Sequence, residues 1–228
     1  AWVDGNAIVA DNAKVYGNAK VCGDALVCGY AKVGGNVLVS GNAKVHGDAK
    51  VYGDAWVSGN VFVSGDANVH GNVLVCGNAE VHGNAWVYGN AIVSDNAEVY
   101  GDAKVYGNAK VYGNANVHGN AWVYGNANVH GDATVYGDAN VHGDALVCGD
   151  ACVYGIGAIF WASSVGTENG TITVTSGKNG LVVTRGCFTG TKEEFLSASA
   201  AKHNEKIQRE YRLLIEVAES RIEQHSVN

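Results

Sequence analysis

Valine stands at position 3 and at every sixth residue after it through Val153, 26 positions without an insertion. From Val9 onward, Ala precedes each of these valines by two residues, replaced only by Val37, Val61 and Val73. Two residues after each Val comes Gly, except at Asp11 and Asp95, and then, up to Asp150, Asn or Asp, except at Tyr30. The unit is Ala-x-Val-x-Gly-(Asn/Asp). In a strand, side chains alternate between two faces, so Ala and Val share the inward face and the two variable residues flanking Val point outward. Gly-Asn and Gly-Asp turn a chain sharply because both residues accept positive φ at low cost. Each hexad is therefore a short strand and a corner. Three hexads close a triangular coil of 18 residues, and 26 hexads give a little under nine coils. At roughly 4.8 Å per coil the prism is on the order of 40 Å long.

Composition agrees with constant turning. Glycine makes up 32 of 228 residues and proline is absent, which without a Gly-X-Y period excludes collagen. The net charge of −7 argues against direct nucleic-acid binding. No apolar run is long enough to span a membrane. The opening Ala-Trp-Val-Asp-Gly has neither the basic nor the apolar region of a signal peptide, and the missing Met points to a processed or trimmed start. Cys22, Cys28, Cys76, Cys148, Cys152 and Cys187 show no recurrent paired spacing. They are read as reduced thiols of a cytosolic protein.

The hexad Val-Tyr-Gly-Asn-Ala-Lys (residues 15–20) resembles the motif of the left-handed parallel β-helix, or hexapeptide-repeat, family: aliphatic at position one, small at position five. The expected fold is an all-β solenoid over residues 1–155, of about eight to nine triangular coils, with a small α+β cap over 156–228. The left hand comes from the resemblance, which also implies side-by-side association, commonly as trimers.

The 18-residue period sorts the outward residues onto three faces. On the first face, Leu38, Trp56, Leu74 and Ile92 stand beside Ser40, Ser58, Cys76 and Ser94. A contiguous apolar strip of this kind marks an interface, so these four residues are the candidate homo-oligomer contact. The competing reading is that aliphatic ladders merely stack well. The second face is mixed. The third carries Lys14, Lys32, Lys50, Trp86 and Trp122 before Val, with Tyr88, Tyr106 and Tyr124 after it. These eight form a candidate face for planar or anionic ligands. Against that, aromatic ladders reinforce stacked strands and surface Lys resists unwanted association.

Many left-handed β-helix proteins are acyltransferases that use a His base and a loop breaking the repeat. Here His46, His70, His82, His118, His130 and His142 all keep register after a Val, and no loop interrupts the repeat. On one face the nearest histidines stand two coils apart, about 10 Å, too far to share a metal. No catalytic, cofactor or metal residue is assigned. Nine corner positions carry Asp, which leaves an acidic nucleic-acid mimic as an alternative. A single outward Thr, Thr134, rules out an ice-binding ladder.

Beyond Gly155, short strands are expected at 159–163, 171–175 and 181–185, the last two joined by Ser-Gly-Lys-Asn-Gly. Thr191-Lys-Glu-Glu194 is a capping box. A second helix is expected over 205–223, with Ile207, Tyr211, Leu214, Ile215, Ala218 and Ile222 on one side. A solenoid end needs a cover, so this segment reads as a cap. The run Arg-Gly-Cys-Phe-Thr-Gly-Thr-Lys-Glu-Glu-Phe (185–195) with Arg-Glu-Tyr-Arg (209–212) is similar to the tail of hexapeptide-repeat proteins of bacteriophages and prophages. That resemblance implies a phage-derived accessory protein acting in the bacterial cytoplasm. The leading expectation is a non-enzymatic binding or scaffold protein that binds and blocks a host component, such as a defence component. The alternative is an acyltransferase with a site between subunits.

Overall fold

The computed structural model describes residues 1–177 and 180–222. Within it the repeat forms 26 short parallel strands, or rungs, divided among three sheets of nine, nine and eight. Every rung pairs with the one 18 residues further on: Val3 with Val21, Val57 with Val75, Val135 with Val153. The residues flanking each Val, and the corner residue after it, donate forward. Lys20 N–H donates to the Val37 carbonyl at 2.8 Å, Cys22 to Val39 at 2.9 Å and Asp24 to Gly41 at 2.9 Å. Each coil thus hands these N–H groups to the coil that follows, while the rung valines return bonds, as in any parallel pair.

The corners explain the glycines. From Gly5 to Gly149 the corner glycines adopt φ between 63° and 96°. Through Gly131 each also stacks on the corner residue of the next coil: a Cβ on Gly17 would lie 3.0 Å from the Gly35 nitrogen and 3.2 Å from its oxygen. Asp11 and Asp95 hold the same conformation at φ 57° and 60°. Their carboxylates accept the N–H of Gly29 and Gly113 in the next coil, each at 3.1 Å, which offsets the strain.

The following corner residue builds ladders. Asn42, Asn60, Asn78, Asn96 and Asn114 each donate their side-chain amide to the side-chain oxygen 18 residues on, and the run ends at Asp132. A second run goes from Asn72 through Asn90, Asn108 and Asn126 to Asp144. Shorter runs end at Asp24, Asp54, Asp102 and Asp138. Each ends on Asp for a chemical reason: a carboxylate accepts but has no amide to pass on.

From Ala19 to Val153 the inward alanines and valines are no more than 2% exposed and form one continuous core. All eight inward residues before Val on the third face are Ala. The larger Val37, Val61 and Val73 lie in the region of the four-residue rungs, which are Leu38–Gly41, Lys50–Gly53, Trp56–Gly59, Asn68–Gly71, Leu74–Gly77 and Trp86–Gly89. In the first coil Val3 and Val9 remain exposed.

The cap is a four-stranded antiparallel sheet, Ile159–Val165, Gly170–Gly177, Gly180–Arg185 and Phe188–Thr191, followed by helices α1 (Lys192–Lys202) and α2 (Glu205–Ile222). The fourth strand is an element the sequence did not announce. Of the expected turn at 176–180, Lys178 and Asn179 lie outside the described residues, as does Glu223 of the expected second helix. Thr191 is the N-cap of α1 and both halves of its capping box form. Ile207, Tyr211, Ile215, Ala218 and Ile222 are buried along α2, and Leu214 packs at the margin.

The second cap strand is the joint between solenoid and cap. Its alternation, Thr-Ile-Thr-Val-Thr over 171–175, gives it two different faces. Ile172 and Val174 enter the helical core. Thr173 and Thr175 are equally buried but belong to neither apolar core. Thr173 Oγ1 accepts the Leu146 N–H at 3.0 Å, a donor from the end of the stack that has no further coil to receive it. Ala151 bridges to Gly177, and the Cys148 sulfur lies 3.1 Å from Thr189 Oγ1.

Thr173→Val keeps the side-chain shape and removes the acceptor. It should lower the unfolding free energy by about 1–3 kcal/mol, read from denaturant melts. Asn90 both receives from Asn72 and donates to Asn108. Asn90→Asp should cost about 0.5–1.5 kcal/mol, whereas Asp144→Asn, which keeps an acceptor at the end of the ladder, should change the melt far less.

Candidate assembly and ligand faces

The first-face strip is continuous. Leu38, Trp56, Leu74 and Ile92 occupy four consecutive coils in direct register. Trp56 is 52% exposed, and the two leucines and Ile92 are half-buried beside it. Side chains one coil apart touch, so Leu38 and Leu74 support Trp56 from both sides while its outer surface meets solvent. The neighbouring column, Ser40, Ser58, Cys76 and Ser94, is small and half-buried. The result is a shallow apolar ridge beside a shelf, a shape on which another surface can pack closely.

The third face separates into two parts. Lys14, Lys32 and Lys50 stack in register on the first three coils. None of the three has an ion pair among the described residues. They border a groove that also contains Tyr30, Asp48 and Asp66. Asn68 then intervenes before Trp86. From there Trp86, Lys104 and Trp122 stack in order, with the Lys104 ammonium 4.6 Å from the Trp122 ring centre. The eight candidate residues therefore share a face without forming one site. Lys104, which the residue-type argument left out of the group, connects the two tryptophans.

The column after Val is a ring stack. Centres are 5.1 Å apart from His70 to Tyr88, 4.7 Å to Tyr106, 4.8 Å to Tyr124 and 5.0 Å to His142, and the planes differ by no more than 15°. Trp161 of the cap closes the stack edge-on, 4.3 Å from His142. Burial raises the pKa of Tyr88 and Tyr106. Because the rings cover one another's faces, only their edges remain for a planar ligand. At the other end, Gly34 interrupts the column. Tyr16 leans across the gap, where a Cβ would collide with its ring, and reaches to 6.3 Å from Tyr52. Burial, with the hydrogen bond and charge of Tyr16, pushes the Tyr52 hydroxyl up to about 12.

A second stack, His82, Tyr100, His118 and Tyr136, runs up the second face, and His130 lies on Tyr112 on the first. Five of the repeat histidines are thus held in ring stacks. Burial lowers the pKa of His118 and of His130. All six cysteines are free thiols. No cluster of three His, Cys, Asp or Glu suited to a metal occurs among the described residues. Nor is any described helix long and apolar enough to cross a membrane.

Residues 25–126 match the bactofilin family, described as polymer-forming cytoskeletal. The matched stretch covers less than half of the chain. It includes the whole Leu38–Ile92 strip and both tryptophans of the third face, and it stops short of the cap. No curated protein matches the chain.

The lowered histidines set a pH dependence. Each prefers the neutral ring in the folded state, so its contribution is complete above the ordinary imidazole value of about 6.5 and is lost as pH falls below it. Melting temperature should therefore drop between about pH 7 and pH 5. His118→Tyr with His130→Tyr, which keeps the stacking, should flatten that drop in a thermal-shift series.

Proposed function

We propose that the chain is a non-enzymatic structural scaffold that assembles with copies of itself through the strip Leu38, Trp56, Leu74 and Ile92. The observation that carries this reading is the in-register apolar ridge, half-exposed at its centre, on a rod of 26 rungs in unbroken sequence. The match of the same residues to a polymer-forming family supports it. The direction of assembly is lateral. The cap occupies the C-terminal end of the stack, so rods cannot add through that end, whereas the ridge runs along the side. Three ridges meeting around an axis close a trimer, the arrangement we favour; a ridge that meets a different surface on the next copy builds a filament.

A second reading keeps the rod as a phage-derived factor in the bacterial cytoplasm that binds and blocks a host protein. It rests on the resemblance carried by residues 185–195 and 209–212. Affinity purification from bacterial lysate, followed by reconstitution of the recovered pair, tests it; no stoichiometric partner would end it.

For the scaffold, sedimentation velocity at micromolar concentration should give a multimer, and electron microscopy should separate a closed trimer from a filament. Trp56→Lys with Leu74→Lys should yield monomers with an unchanged melting temperature, because both side chains point outward. A monomeric parent protein, or assembly that survives the double substitution, overturns the reading.

A further inference from the structure

We propose that the cap holds a binding site for a small organic anion, a carboxylate or phosphate carried on a compact apolar body. Between the cap sheet and helices α1 and α2 lies a cavity of about 370 Å³, within the range that small-molecule sites occupy. Its polar wall is weighted toward cations and donors: Arg185, Lys202, His203 and Ser199. The acid on the wall, Glu168, is 76% exposed at its side chain and stands 3.8 Å from Arg185, a loose pair that an incoming anion can replace. The apolar wall is aromatic. Phe195 is packed edge-on between Phe188 and Tyr211, with ring centres 5.3 and 5.1 Å away.

The cationic wall is held in place before any ligand arrives. Arg185 donates through Nη2 to the Val165 carbonyl at 3.2 Å. Its guanidinium packs over Gly170 and the Tyr211 hydroxyl over Gly166, where a side chain on either glycine would collide. Two donors here lack an acceptor among the described residues: Arg185 Nε and the hydroxyl of Ser199, a residue 5% exposed. Buried donors normally find partners, and each one left over is a cost that an acceptor removes. A guanidinium, an ammonium and a hydroxyl around aromatic rings favour a ligand with an anionic head and a flat or aliphatic body. This site is independent of the assembly ridge, which lies on the solenoid.

Calorimetric titration of the full chain tests it with four probes: benzoate, phenyl phosphate, inorganic phosphate and neutral benzyl alcohol. Benzoate or phenyl phosphate should bind saturably below about 10 mM, and which of the two binds tighter identifies the head group. Lys202→Met and Ser199→Ala, changes that leave the cap core intact, should each keep the parent melting temperature, and Lys202→Met should weaken binding about tenfold. No saturable binding by either organic anion overturns the proposal. So does binding unchanged in both variants, equal binding of benzyl alcohol, or inorganic phosphate binding as tightly as phenyl phosphate.

Discussion

The stacking of corner on corner governs this molecule. A parallel solenoid with 18 residues per coil brings each corner directly against the next, as Gly17 lies against Gly35. There the chain needs both positive φ and the absence of a Cβ, and glycine meets both demands. A side chain at such a corner would strain the backbone and push two coils apart, breaking hydrogen bonds on both sides of it. Asp11 and Asp95 succeed because their carboxylates return a bond to the coil they crowd. With the corners fixed, the register of every rung follows, and Val falls on Val.

That register has a direction. The N–H groups flanking each Val, those of the corners and the Asn amides donate toward the C-terminal end. These forward bonds leave donors without acceptors at the last coil. The cap answers this chemically: a strand alternating threonine with aliphatic residues puts a hydroxyl toward the solenoid and Ile172 and Val174 toward the helices. Sheet and helices are thus joined to the rod chiefly through one strand with two different faces, with Trp161 and Thr189 adding contacts beside it.

A solenoid so regular has few places for chemistry. Its interior is filled by Ala and Val, and its outer rings are spent on one another in stacks less than 5.5 Å between centres. What remains exposed is surface that repeats along an axis, suited to contact with another long surface. The apolar ridge of the first face has that form. In the cap, where sheet and helices meet at unlike angles, lies a cavity of small-molecule size.

The sequence by itself determined the solenoid, its 18-residue coil, its three faces, the capping box and the apolar side of α2. The reason is that a six-residue period leaves a single consistent way to bury Val and turn at Gly. It named the Leu38–Ile92 strip and the aromatic and lysine columns for the same reason, since position in the period fixes the face. The tertiary structure decided the rest. It placed Trp161 at the end of the tyrosine stack and set Arg185, Ser199 and Lys202 around one cavity. These contacts join residues with no fixed spacing in the chain, so no period encodes them. They exist only once a sheet and two helices have packed.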